Sequence, residues 1–333
     1  MAVKIVVDVA QAHDGSLGRA HSFIDAVSGC GIDAIKFQTH IAEFESSPQE
    51  PWRVIFSFED KTRYDYWKRM EFSREQWQGL FDHSRAAGLG FIGTPFSTES
   101  LEMLRDIGVN RWKLASGEIS NRFLVRALAE LKQPVIMSTG MSSWDEIDRT
   151  ARFFLDSGVD LSILQCTSRY PVPPERVGLN VIDELRRRYR VPVGLSDHSG
   201  SIYASLAAVA LGAALIEVHV CLSKYDFGPD TSSSLTVEQL RMLSEGVRQI
   251  ETMLANPVDK DLAAASLAET HRMFTKSLYI RQAVPPGTVL TEAMLGAKKP
   301  CVGIPVTRFD QVVGRRAKHG LNAGDFIREE DLE

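Results

Sequence analysis

The sequence predicts an α/β fold, a (β/α)8 TIM barrel followed by a small C-terminal domain, and three observations carry that expectation. Eight short β-branched runs alternate with stretches of helical length. Those runs show little polar alternation, which implies strands buried on both faces and hence a parallel sheet under helices. Beyond residue 275 the pattern gives way to an internal repeat. Eight βα units over about 250 residues match a closed barrel. A doubly wound open sheet is the alternative, but no glycine-rich dinucleotide turn follows the first run.

The runs are VKIVVDVA (3–10), DAIKFQ (33–38), GFIGTP (90–95), RWKLAS (111–116), PVIMST (134–139), LSILQC (161–166), VPVGLS (191–196) and LIEVHV (215–220). Helices are expected after them, near 17–30, 73–87, 97–107, 121–131, 143–157, 178–189, 201–211 and 236–255. Ser73 with Gln76, and Ser143 with Glu146, have the spacing of capping boxes. One connection, residues 39–72, is far longer than the usual few residues and suits a lid or an oligomer contact. Its aromatics Trp52, Phe56, Phe58, Tyr64, Tyr66 and Trp67 suit either stacking on a sugar or anchoring the loop.

The expected boundaries are a barrel over 1–257, a linker with a short helix over 258–275 and a small module over 276–333. Within that module VPPGTVLTEAML (284–295) and LNAGDFIREEDL (321–332) share glycine at the fourth place, an aliphatic at the seventh and leucine at the twelfth. Each half suits a turn, a short strand and a one-turn helix. So small a core should lean on a barrel, its own or a partner's.

Composition narrows the function classes. A net charge of −5 leaves no electrostatic footprint for nucleic acid or an anionic membrane. Cys30, Cys166, Cys221 and Cys301 form no CxxC pair, so neither a disulfide framework nor a structural zinc site is expected. The N-terminal apolar run is too short for a membrane span and lacks a signal-peptide pattern. A cytoplasmic location is the expectation.

Active sites of such barrels form at the C-terminal strand ends. Here those ends carry Asp8, Lys36 and Gln38, Thr94, then Lys113 with Ser116 and Glu118. The later ends carry Ser138 and Thr139, Thr167 and Ser168, Ser196 and His198, and Glu217 and His219. Side chains alternate along a strand, so Ser196 and His198 share a face and Asp197 takes the other. Neighbouring strands lie about 4.8 Å apart, close enough for His198 and His219 to meet one metal ion. The alternative is two histidines that only hydrogen-bond in a polar mouth. Lys36 and Lys113 at one strand end call for an anion, either a phosphate- and carboxylate-bearing ligand or the carboxylates Glu118 and Glu217. His13 is expected either to serve the site or to cap the first helix. His40, His83, His271 and His319 are expected at the surface or in the linker, and Cys166 in packing.

At this point the motifs become specific. AHDGSLGRA (12–20), DAIKFQTH (33–40), GTPFS (93–97), KLASGE (113–118), PVIMSTGM (134–141), QCTSRYP (165–171), GLSDHS (194–199) and GPD (228–230) run through nearly the whole chain. The chain resembles the sialic acid synthases, which join a barrel to an antifreeze-like (SAF) domain. The resemblance implies condensation of phosphoenolpyruvate with an N-acetylmannosamine-type aldehyde sugar, giving a nonulosonic acid and phosphate. It implies a divalent metal on His198 and His219, Mn²⁺ or Mg²⁺, and catalytic roles for Asp8, Lys113 and both histidines. Lys36, Thr94, Lys113, Ser116, Ser138, Ser168 and Ser196 then look like the phosphoenolpyruvate cradle, and Gln38, Tyr170 and Asp230 like sugar contacts. It also implies a domain-swapped homodimer in which Lys299 reaches the neighbouring barrel.

Five positions depart from the pattern of that family: Asp8 for Glu, Ala12 for Asn, Ser168 for Asn, Val218 for Arg, and Lys299-Pro300-Cys301 for Arg-Pro-Gly. They are expected mainly where the sugar sits, so another acceptor is open, such as a 2,4-diacetamido-6-deoxy sugar leading to a legionaminic-type acid. The competing readings are another phosphoenolpyruvate-using aldol synthase, against which the C-terminal repeat speaks, and a non-catalytic carbohydrate- or partner-binding homologue.

Overall fold

The computed structural model describes residues 2–333. The chain divides after Ala255 into two compact units, each with its own core. In the first, β1 (Lys4–Asp8), β2 (Ala34–Thr39), β3 (Gly90–Pro95), β4 (Trp112–Leu114), β5 (Val135–Ser138), β6 (Leu161–Cys166), β7 (Val193–Asp197) and β8 (Leu215–His219) form a closed barrel in sequence order. Every pairing is parallel, and β8 returns to β1 over five residues, from Lys4↔Leu215 to Asp8↔His219. Closure excludes the open doubly wound sheet.

Residue alternation along these strands divides the core in two. Outward side chains such as Ile5, Val7, Ile35, Phe37, Trp112, Leu114 and Ile163 pack under the helices. Inward, Val6, Ala34, Ile92, Ile136, Leu164 and Leu215 fill the barrel with a separate apolar layer. Gly194 takes the corresponding place on β7, where an added Cβ would run into the Leu215 carbonyl and Leu164. The missing side chain is what lets β7 approach at that level.

Helices follow as Leu17–Ser28, Arg74–Ala86, Thr98–Asp106, Arg122–Leu131, Trp144–Asp156, Asn180–Tyr189, Tyr203–Ala210 and Val237–Ala255. The Ser73/Gln76 and Ser143/Glu146 boxes form with both of their hydrogen bonds. The long 39–72 connection is partly ordered by helices Ala42–Glu45 and Arg63–Met70. Tyr66, Trp67 and Met70 pack on Ala42, with Trp52, Phe56 and Tyr64 against them. The aromatics of that segment thus anchor it, and Trp52, Phe56, Tyr66 and Trp67 also line the cavity at the barrel mouth, while Phe58 stands exposed. The run 111–116 is shorter than expected, because Ser116–Glu118 leaves the strand as a 3₁₀ turn.

The second unit begins at Asn256, and 258–275 holds two helices, Lys260–Ser266 and Ala268–Phe274, rather than one in a linker. Beyond them β9 (Ser277–Ile280) pairs antiparallel with β10 (Leu295–Lys298). The repeat is visible in three dimensions. Val284 and Leu321, the first residue of each copy, pair with one another. The seventh residues Leu290 and Ile327 and the twelfth residues Leu295 and Leu332 are buried in one core. Gly287 and Gly324 turn at φ 75° and 95°, which is the reason for glycine at the fourth place. Each copy ends in a one-turn 3₁₀ helix, Glu292–Met294 or Glu329–Asp331. Among the described residues no helix is long and apolar enough to cross a membrane.

Candidate active site

Two residues further along each strand from the inner apolar layer, the chemistry changes. Val6 gives way to Asp8, Ala34 to Lys36, Ile92 to Thr94, Ile136 to Ser138, Leu164 to Cys166 and Leu215 to Glu217, all buried. The strand period of two dictates that these side chains point into the barrel mouth above the apolar plug. One more step on the same face brings in Gln38, His198 and His219. Every first-unit residue given a catalytic, metal or substrate role lines a single cavity of about 560 Å³, whereas Thr139 and Thr167 at the strand ends do not, Thr167 Oγ1 donating to the Arg176 carbonyl at 2.7 Å. Lys299 belongs to the second unit, where its ammonium lies 4.9 Å over the Phe274 ring. Residues of the opposite parity serve structure. Asp197 accepts from Ser199 N at 2.8 Å and Ser205 Oγ at 2.9 Å, and Thr139 Oγ1 donates to the Leu164 carbonyl at 3.0 Å.

The two lysines point inward and are paired within the cavity. Lys36 Nζ donates to Asp8 Oδ2 at 2.6 Å and to Thr94 Oγ1 at 3.3 Å, and Lys113 Nζ to Glu217 Oε1 at 3.1 Å. The Glu217 oxygen also accepts from Ser196 Oγ at 3.1 Å and lies 3.9 Å from Lys36 Nζ. Glu118, the other carboxylate suggested as a lysine partner, instead accepts from Asn121 Nδ2 at 2.7 Å. Burial opposes ionisation of Asp8, but the Lys36 ammonium, the His219 ring and the Gln38 amide hold its carboxyl well below the usual carboxylate range. Burial opposes ionisation of Glu217 too, and Lys113 and Lys36 outweigh it. Lys36 is held above the ordinary lysine value by Asp8 and Glu217 despite its burial. The floor is thus two ammonium and two carboxylate groups, balanced without a ligand.

Six buried polar atoms of the cavity lining have no partner: Ser138 Oγ, Glu217 Oε2 and His219 Nδ1 at the strand ends, and His40 Nε2, Glu45 Oε2 and Tyr66 Oη beside them. Ser116 Oγ and Ser168 Oγ approach Gly140 so closely that a Cβ there would collide with both and with Cys166 Sγ. Gly140 N also donates to Ser116 Oγ at 3.0 Å. Hydroxyls facing two ammonium groups make a cradle for an anion bearing several oxygens.

The rings of His198 and His219 are 4.9 Å apart and nearly perpendicular. His198 Nδ1 donates to the Thr167 carbonyl at 3.2 Å, so Nε2 carries the lone pair when the ring is neutral; burial opposes charging of this ring, but Cys166, the Thr167 carbonyl and Glu217 raise its pKa. Burial lowers the pKa of His219 despite the Asp8 carboxylate, favouring the neutral ring that a metal needs. An orphaned His219 nitrogen beside a free His198 nitrogen fits two ligands of a divalent ion. No group of three or more His, Cys, Asp or Glu among the described residues is placed to hold a metal. Oxygens of water and substrate would complete the sphere.

The Tyr170 ring packs tilted at 34° on the His198 ring, 4.3 Å between centroids, and Asp230 Oδ2 lies 3.8 Å from His219 Nδ1. Gln38 Nε2 donates to Asp8 Oδ2 at 2.9 Å and its Oε1 accepts from Gln11 at 2.7 Å. All three groups line the cavity. Glu118 and His40 also line it. Burial pushes the pKa of Glu118 up.

Several expectations need correction. His40 is buried, sandwiched between Trp67 and Phe96 at 4.1 and 4.6 Å, with Nδ1 donating to Glu45 at 2.7 Å. His13 is buried outside the cavity lining, and its Nδ1 accepts from Gly15 N at 3.2 Å; Ser16 caps the first helix instead. Cys166 lines the cavity as well as packing, 3.9 Å from His198 Nδ1. Ala12 and Val218 pack in the outer core away from the cavity, so only Asp8 and Ser168 among the first unit's departures touch it. Glu217, expected as an alternative carboxylate partner for the lysines, does pair with Lys113, and its two-residue offset from His219 is the signal that places it inside. Arg53, which also lines the cavity, lies in an aperiodic segment and gave no signal.

Residues 23–259 match the model of the NeuB family, and 275–333 that of the SAF domain. The chain belongs to the NeuB family. It is 30% identical over 331 residues to the N,N'-diacetyllegionaminic acid synthase of Campylobacter jejuni, covering 98% of each chain. It is 32% identical to the human N-acetylneuraminate-9-phosphate synthase, covering 98% of this chain and 91% of that one. A crystal structure of the N-acetylneuraminic acid synthetase of Leptospira borgpetersenii, in complex with citrate, superposes with a TM-score of 0.72 at 29% identity. That match covers 82% of this chain and 93% of the other. The NeuB relatives are synthases of sialic, legionaminic and pseudaminic acids. The chain is thus an enzyme of a synthase family whose barrel and SAF domain it shares.

Proposed function

We propose that this NeuB-family enzyme condenses phosphoenolpyruvate with the open-chain aldehyde of an N-acetylmannosamine-type or 2,4-diacetamido-6-deoxy sugar, releasing phosphate and a nonulosonic acid. The observation that carries the reading is one cavity in which two buried lysines, unpartnered Ser138 Oγ and two facing imidazoles converge. Lys36, Lys113 and the hydroxyls of Thr94, Ser116, Ser138, Ser168 and Ser196 would hold the carboxylate and phosphate. Gln38, Tyr170 and Asp230 would orient the sugar so that its aldehyde carbon faces C3 of phosphoenolpyruvate. His198 and His219 would hold a divalent cation, Mn²⁺ or Mg²⁺, which when bound supplies Lewis-acid polarisation of the aldehyde.

The charge balance gives Asp8 a changing role. With the cavity free of ligand it is the counter-ion of Lys36, and its basicity is low. When phosphoenolpyruvate takes over Lys36, Asp8 loses that partner and its proton affinity rises. It can then accept a proton from the water that adds to C2, after C3 has bonded to the aldehyde carbon and before phosphate departs. Enclosing this sequence in a deep cavity keeps bulk water from hydrolysing phosphoenolpyruvate unproductively.

The reading includes a cytoplasmic enzyme acting as a homodimer, with Lys299 of one subunit reaching the other's barrel; sedimentation as a single chain at micromolar concentration would contradict that assembly. Phosphate release from phosphoenolpyruvate that requires both an acceptor sugar and Mn²⁺ tests the reaction. Release with every candidate sugar absent, or none with all of them, would refute it.

A further inference from the structure

Arg53 lies in the middle of the long 39–72 connection, yet its guanidinium sits at the barrel mouth. Its Nη2 donates to Asp230 Oδ1 at 2.6 Å, and its Cζ lies 4.3 Å over the Tyr170 ring. Each partner leads directly to one imidazole. Tyr170 packs on His198 at 4.3 Å, and the other Asp230 oxygen lies 3.8 Å from His219. One side chain therefore bears on both groups that frame the outer half of the cavity.

The same stretch of chain is fastened to the far rim by an aromatic contact. Phe56 meets Phe227 at 5.6 Å, just before Asp230 in the chain, while Phe58 beside it stands exposed. From its other side the stretch is held by Arg63, which donates to the Pro51 carbonyl at 3.3 Å and pairs with Glu50 at 3.2 Å. Between these ties the 51–60 backbone has no regular secondary structure. Arg53 is 39% exposed at its side chain and Asp230 13%, so the ion pair spans the boundary between solvent and cavity.

We propose that Arg53 is a positioning residue for the acceptor sugar, latching the 46–61 segment over the cavity by fixing Asp230 and Tyr170. The inference rests on the reaction proposed above for the sugar's identity, but the latch itself does not. A planar guanidinium serves where an ammonium would not, because it can donate to the carboxylate while lying flat on the phenol ring. With Arg53 engaged, Asp230 keeps one oxygen turned toward His219 and the cavity. Without it that carboxylate is free to rotate outward, and the tyrosine loses the face contact that holds its ring against His198.

Two readouts on the full-length chain test this. For the first, a nitroxide is attached at Phe58→Cys in a chain carrying Cys301→Ser. Its spectrum should narrow when Arg53→Ala is added and narrow equally with Asp230→Asn, with no further change in the double variant. A spectrum indifferent to Arg53→Ala overturns the latch. For the second, Arg53→Ala should raise KM for the sugar about 10- to 100-fold, the usual effect of one charge-assisted hydrogen bond. KM for phosphoenolpyruvate should stay within about twofold, Arg53→Lys should not restore the sugar's KM, and added guanidinium ion should restore part of it in the alanine variant. Equal changes in both KM values, or full rescue by lysine, overturn the positioning role. If the wild-type chain condenses no sugar, the proposed reaction fails, and the nitroxide comparison alone decides the latch.

Discussion

Lys36 Nζ and Asp8 Oδ2 lie 2.6 Å apart on the barrel floor, with both side chains only 2% exposed. A buried pair of this kind contributes little net stability, since desolvation offsets attraction, but removing one partner strands the other. Asp8→Ala should therefore destabilise the chain by about 3–5 kcal/mol in urea unfolding. Added phosphoenolpyruvate should recover part of the loss by replacing the missing anion beside Lys36. Lys36→Met should abolish the rise in Tm that phosphoenolpyruvate gives the wild type. An undiminished rise in that variant would remove Lys36 from the anion cradle.

Gly140 makes a sharper probe of the same cradle, because its change adds atoms without removing any polar group. A Cβ at this position would strike the side chains of Ser116, Cys166 and Ser168. Gly140→Ala should push those groups into the cavity and weaken phosphoenolpyruvate binding at least about tenfold, at a folding cost of about 1–3 kcal/mol. Calorimetric titration checks it. Unchanged affinity would mean that the anion lies elsewhere.

The two imidazoles can be tested without turnover. Free aqueous Mn²⁺ gives a sharp paramagnetic resonance signal that fades on binding. Wild type should titrate that signal away in a one-to-one complex, and His219→Ala and His198→Ala should each weaken the complex about 100-fold. Equal binding by His219→Ala would place the metal off this pair.

His13 sets an expectation for pH. Burial, with His40, Arg19 and Arg69 acting in the same direction, lowers its pKa from the ordinary 6.5 to about 3. Above pH 6.5 the ring is neutral in both folded and unfolded chains, and its contribution to stability is complete. Between pH 6.5 and 3 the unfolded chain takes up a proton that the folded chain refuses. Stability should fall across that window by at most about 1.4 kcal/mol per pH unit from this group. In His13→Asn the change in urea midpoint between pH 7.5 and 5 should be smaller than in wild type. Identical changes would place the titration elsewhere.

The barrel and most of its mouth were legible in the sequence because a strand period of two is a rigid rule. Once Asp8, Lys36, Thr94, Ser138 and Ser196 sit at equivalent strand ends, geometry sends them to one place. The same rule assigned Asp197 to the opposite face, where it caps the following turn. It failed where side chains come from outside the strands. His40 follows the end of β2 and looks like a loop residue; it is buried because Trp67 and Phe96, distant in sequence, close over it. Arg53 belongs to a segment with no period, held by aromatic contacts that only the folded chain reveals. The expectation that the departures gather mainly around the sugar holds for neither Val218 nor Ala12. Val218 alternates with Glu217 and His219, so the strand period itself sends it outward, whereas Ala12 sits in the turn after β1, where only coordinates show that it packs on the outer core.

The most direct test of the whole account follows the carbon atom at which the new bond would form. Phosphoenolpyruvate labelled with ¹³C at C3 is incubated with the enzyme, Mn²⁺ and N-acetylmannosamine or a 2,4-diacetamido-6-deoxy sugar, and carbon resonance is recorded. The account predicts that the label moves from the vinyl position to the ring methylene of a nine-carbon 2-keto acid, in step with phosphate release. Label that stays in phosphoenolpyruvate, or that collects in the methyl group of pyruvate by simple hydrolysis, would contradict it.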